Sequence, residues 1–80
     1  MSVLAKCIKE TYTWEGDGEQ HKFCGVKENH VYVFDKIGSE YWIDPLLSPN
    51  KEDLIDKNGF FSGVSRGIER KYFNEMFEIV

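Results

Sequence analysis

The sequence predicts a mainly β domain, a small barrel with one short helix or 3₁₀ turn. Three observations predict it. Both ends carry strand-like patterns, Val3-Leu4-Ala5-Lys6-Cys7-Ile8-Lys9 at the start and Phe77-Glu78-Ile79-Val80 at the finish. The middle holds two β-prone runs, Val31–Asp35 and Glu40–Asp44, separated by a short turn. Helical grammar interrupts this pattern mainly at Pro45–Gly59. Strands at both ends suit a compact barrel whose termini are tied down.

The elements follow in order. Val3–Glu10 reads as the first strand, with Val3, Ala5 and Cys7 on one face and Leu4, Lys6 and Ile8 on the other. Thr11–Gln20 centres on Gly16-Asp17-Gly18, residues that tolerate positive φ, so Tyr12 and Trp14 extend a hairpin arm. Phe23–Val26 is a short apolar stretch. Lys27–His30 turns the chain, with Asn29 suited to the left-handed conformation. Val31–Asp35 and Glu40–Asp44 form a hairpin through Lys36–Ser39, closed off by Pro45. Asp44 suits a core poorly, so Tyr32 and Phe34 point inward and Trp42 and Asp44 outward.

In Pro45–Gly59, Ser48 is a helix cap, Pro49 fits a first turn, and Glu52 and Asp53 suit its positive end. Asn58-Gly59 is a stop. One or two helical turns or an ordered loop are expected there. Phe60–Val64 reads as a strand and Ser65–Gly67 as a turn. Ile68–Asn74 is extended or helical, with a 3₁₀ turn at Lys71–Asn74. Met76–Val80 is the closing strand, with Phe77 and Ile79 on one face.

Eighty residues make one domain, spanning 1–80. A domain of this size buries only about 60–65% of its unfolded surface. The twelve aromatic residues therefore dominate the core. Net charge is −4, which disfavours generic phosphate-backbone binding. No apolar run is long enough for a secretory signal or a membrane span. A cytoplasmic location with two free thiols is expected.

No motif carries catalysis, and no cofactor is implied. Cys7, His21, Cys24 and His30 have zinc-ligand identities but lack paired close spacing. Cys7 and Cys24 have no base with an orienting third group. Glu15, Asp17 and Glu19 are too few for a calcium loop. A nucleic-acid-binding barrel is the alternative class, using Arg66, Arg70 and Lys71. The remaining basic residues are dispersed among acidic neighbours. Tyr and Trp concentrate at protein interfaces. Tyr12, Trp14, Asp17, Glu19, Trp42 and Asp44 are therefore the expected binding surface, aromatic anchors beside acids that fit a basic patch on a partner protein. An edge strand at either terminus also offers a route to a homodimer.

Three pieces in this order, Ala5-Lys6-Cys7-Ile8, Val26–Tyr32 and Tyr72–Val80, carry a resemblance. The chain resembles the small SH3-like barrel proteins encoded in tailed-phage and prophage genomes. Those open on a Lys-Cys-Ile strand, carry a Leu-x-x-Gly-x-x-Tyr turn and strand, and close on Phe-Glu-Val-Val. Two departures stand out. Asn29 replaces their glycine, and Pro45–Gly59 is longer than their usual connection. The resemblance implies a five-stranded SH3-like barrel and a phage accessory protein. Its partner would be a host or phage protein in the host cytoplasm. Inhibition of a host process or a defence system is one form of that role.

Overall fold

Alternation along the two middle strands decides which way the sheet faces. In the computed structural model, which describes residues 1–59 and 66–80, β4 spans Val31–Ile37 and β5 spans Glu40–Asp44. Tyr32 and Phe34 are fully buried, and Tyr41 and Ile43 are buried opposite them. Trp42 and Asp44 point outward and are half-buried. Gly38, at φ +61, makes the tight connection that brings Ile37 opposite Glu40. The strand therefore runs two residues beyond the expected Asp35.

The terminal strands complete the sheet. β1 (Ser2–Cys7) pairs antiparallel with β4 on one side and with β7 (Phe77–Ile79) on the other. β6 (Gly67–Glu69) pairs with β5, which gives the order β6-β5-β4-β1-β7. The fold is mainly β, and the five-stranded sheet curls into a half-barrel. β1 is shorter than the expected Val3–Glu10. The chain leaves the sheet at Ile8, whose N–H turns to the carbonyl of Met76 at 2.7 Å. β1 is also an interior strand, so among the described residues β7 is the terminal strand that lies at an edge of the sheet.

A short hairpin, β2 (Thr11–Thr13) with β3 (Gln20–Lys22), stands apart from the main sheet. Asn29 takes φ +73, as its side chain predicts, and Cys24 is also left-handed at φ +53. In the Pro45–Gly59 segment a single 3₁₀ turn forms at Lys51–Leu54. Asn50 precedes this turn, and Ser48 is not its cap. Ser48 is instead buried; its Oγ accepts the Val33 N–H at 2.9 Å and donates to the Asp44 carbonyl. The strand read at Phe60–Val64 lies outside the described residues.

Arg70–Met76 forms a helix, α1, one of the two forms open to Ile68–Asn74 and longer than a 3₁₀ turn at Lys71–Asn74. Tyr72, Phe73 and Met76 all face the core from it, a spacing that one α-helical face satisfies. The core is a cluster of rings. Phe73 stacks on Tyr41 at 3.9 Å between centroids and meets Phe34 edge-on at 5.0 Å. Phe77 packs against Phe34 at 4.8 Å. Each such pair contributes about 0.5–1.5 kcal/mol beyond the area it buries. Phe77 is buried, but Ile79 on the same face is exposed because the core ends at Phe77. Among the described residues, no helix is long and apolar enough to cross a membrane.

Candidate functional site

The β2–β3 hairpin holds four of the six expected binding residues. Its loop closes through Trp14: the Trp14 N–H donates to the Glu19 carbonyl at 3.0 Å, and the Trp14 carbonyl accepts the Gly18 N–H at 2.7 Å. The indole lies over Gly16, where a Cβ would sit 2.6 Å from Cη2, and meets the edge of His21 at 5.7 Å. The ring is thus held in place, yet Trp14 is 45% exposed. Asp17 fixes the loop from the other side. Its Oδ1 accepts the Glu19 N–H, and Oδ2 pairs with His21 Nε2, each at 2.8 Å. The backbone bond from Glu19 and the His21 contact hold the Asp17 carboxyl below its ordinary value. Glu19 is exposed beside it.

The hairpin rests on α1. Thr13 N–H donates to the Glu75 carboxylate at 3.0 Å, and Lys9 pairs with the same group at 2.9 Å. Lys9, then Thr13, hold Glu75 below the usual carboxylate range. The Glu15 N–H donates to Tyr72 Oη, and Lys71 pairs with the Glu15 carboxylate. Tyr12 packs between Tyr72, at 4.9 Å, and His21, at 5.9 Å. Tyr12 is therefore a support, half-buried behind the surface residues.

The six expected residues do not form one surface. α1 covers the inner face of the sheet, and the hairpin packs on α1. Trp42 and Asp44 project from the outer face. Trp42 lies against Gly67, where a Cβ would sit 2.6 Å from Cε2, and its Nε1 donates to Glu40 at 3.2 Å. Asp44 caps a turn: Oδ1 accepts the N–H groups of Leu46 and Leu47.

A part-buried polar network, not visible in the sequence, ties the 3₁₀ turn to the sheet. Asp53 Oδ2 accepts the Tyr32 hydroxyl and pairs with His30 Nδ1, both at 2.6 Å. Tyr32 Oη in turn accepts the Lys27 N–H at 2.9 Å. Burial alone would raise the Asp53 pKa, but the bonds from Tyr32 and His30 hold it below the ordinary value. Burial, then the Asp53 bond, push the Tyr32 hydroxyl far up, which locks it as a donor. His30 and Tyr32 sit two apart, but nothing in the sequence distinguishes Asp53 from Glu52 or Asp56 as their partner.

Neither thiol is activated as a nucleophile. Burial pushes the Cys7 and Cys24 thiols up to about 11, which keeps them protonated at neutral pH. Cys7, His21, Cys24 and His30 do not form a ligand group. Among the described residues, the group of three that brings one donor atom each within 4.8 Å of the others is His30, Glu52 and Asp53. The network above already uses His30 and Asp53. In the basic group, Lys71 is paired with Glu15 and lies 3.8 Å from Glu69, so acids interleave Arg66, Arg70 and Lys71.

No protein-family model, curated protein or solved structure matches the chain.

Proposed function

We propose that this chain is a non-enzymatic protein-binding module whose hairpin seats a basic patch of a partner protein through Trp14, Asp17 and Glu19. One observation carries the reading: the Trp14 ring is held against Gly16 and His21 and is still 45% exposed. A ring already held in one orientation loses little entropy on binding, and buried aromatic anchors supply much of an interface's affinity. The acidic loop around it favours encounter with a positively charged surface. The resemblance to small phage barrel proteins adds the setting, a host or phage protein as the partner inside the host cell, with inhibition of a host process or defence system as the outcome.

Affinity capture from a bacterial lysate tests this. Wild-type protein should retain a partner that Trp14→Ala loses, while the circular dichroism spectra of the two coincide. Equal capture by both proteins contradicts the reading. A salt titration against short single- and double-stranded oligonucleotides addresses the alternative. Binding that falls steeply on a log–log plot, and that is lost in Arg70→Ala, would assign the chain to the nucleic-acid class instead.

A further inference from the structure

The outer face of the sheet has a character of its own. Directly opposed residues share one face. The register therefore sets Leu4 beside Val33, and Val33 beside Asp44. The neighbouring row holds Ser2, Asp35 and Trp42. Beyond Asp44 the chain turns through Leu46 and Leu47, which are 69% and 63% exposed. This turn is firmly built. Asp44 Oδ1 accepts the Leu46 and Leu47 N–H groups at 3.0 and 3.1 Å. Ser48 donates its N–H to the Asp44 carbonyl at 3.2 Å, and its Oγ accepts the Val33 N–H. Asp44 points outward, so these bonds hold the backbone of the two exposed leucines beside the Asp44 end of the Leu4–Val33–Asp44 row.

Acidic groups border that row. The outward positions of the five strands include Asp35, Glu40, Asp44, Glu69 and Glu78, with Lys6 as their one basic residue. Lys6 is already paired with Glu78 at 3.4 Å. An apolar centre inside a charged rim is the anatomy of a protein interface. Two copies meeting through this face would set acid against acid, which disfavours a homodimer here.

We propose that the outer face docks a protein segment with an apolar centre and a lysine- or arginine-bearing border, such as an amphipathic basic helix. The site is independent of the hairpin, which packs on α1 against the opposite face. The chain would then present two separate docking surfaces.

The probe is a short amphipathic helical peptide of leucine and lysine, titrated into isotope-labelled full-length protein and followed by amide chemical shifts. The expected shifts cluster on β1, β4, β5 and residues 46–48. Leu4→Lys and the double change Leu46→Ser/Leu47→Ser each weaken binding about tenfold or more, as expected when a buried leucine contact is lost. The double change serves if Leu4→Lys does not fold. A leucine–glutamate peptide should not bind. Shifts confined to residues 11–22 would place the peptide on the hairpin and overturn the proposal. So would no binding, or equal binding of a leucine-free lysine peptide.

Discussion

Removing the Asp53 carboxylate should destabilise the fold by about 2–4 kcal/mol, judged from the bonds it accepts. The group is 5% exposed and receives hydrogen bonds of 2.6 Å from Tyr32 Oη and His30 Nδ1. In Asp53→Ala the Tyr32 hydroxyl, on a fully buried residue, loses its acceptor, and a buried unmatched donor costs about 1–3 kcal/mol. The His30 bond is charge-assisted but partly open to water, so about 1 kcal/mol is assigned to it. A domain of 80 residues has roughly 4–12 kcal/mol in total, so the loss is a large fraction. Urea unfolding followed by tryptophan fluorescence measures it, with the same m-value required for both proteins. Asp53→Asn keeps one acceptor oxygen and should lose about half as much. The acid limb gives a second reading. A carboxyl whose folded pKa lies below its unfolded value of about 3.9 contributes stability above that pH and loses it as pH falls through the folded pKa. Wild-type stability should therefore fall more steeply below about pH 4 than that of Asp53→Ala. Asp17 and Glu75, also held low, keep some slope in both proteins. An Asp53→Ala variant within about 0.5 kcal/mol of wild type would refute the reasoning about this network.

Gly25→Ala should lower the thermal midpoint, because a Cβ there collides with the Asp53 carbonyl oxygen; such overpacking costs about 1–3 kcal/mol. A midpoint unchanged in a calorimetric scan would mean that the 3₁₀ turn does not press on Gly25. Cys24 should alkylate slowly at pH 7, where a thiol of pKa about 11 is about one part in ten thousand thiolate, and about tenfold faster per pH unit. Cys7, fully buried, should label only on unfolding, which mass spectrometry of the labelled peptides distinguishes. Glu75→Ala removes the carboxylate shared by Thr13 and Lys9, so hydrogen exchange at Thr13 should accelerate while β1 and β4 keep their protection. Unchanged protection at Thr13 would show that the hairpin is held by its aromatic packing alone.

Much of the sheet is legible in the sequence because its strands alternate. Val31–Asp35 and Glu40–Asp44 show their inner and outer faces residue by residue, and Gly38 and Asn29 mark turns by backbone chemistry. The closing segment is less legible. Tyr72, Phe73 and Met76 fit either a tight turn or a helix, and the choice depends on packing against Phe34 and Tyr41, which local pattern does not encode. Ser48 reads as a helix cap from its neighbours, but the unpaired N–H of Val33 claims it. The binding surface divides for a similar reason. Alternation places Trp42 and Asp44 on the outer face, but the side of the sheet over which the hairpin folds is decided by Tyr12–Tyr72 packing and the Glu75 bonds. The Asp53 network needs contacts across 21 and 23 residues, and three neighbouring acids are equally eligible in sequence.

Trp14, fixed on an acidic hairpin and open to solvent, is the feature on which the functional reading stands. Titration calorimetry of the captured partner with wild type and Trp14→Ala tests it most directly. The predicted result is about thirtyfold weaker binding for the variant, a hot-spot loss of about 2 kcal/mol, with its thermal midpoint little changed. Equal affinity of the two proteins, or unfolding of the variant, would contradict it, since the ring would then be either a bystander or part of the core.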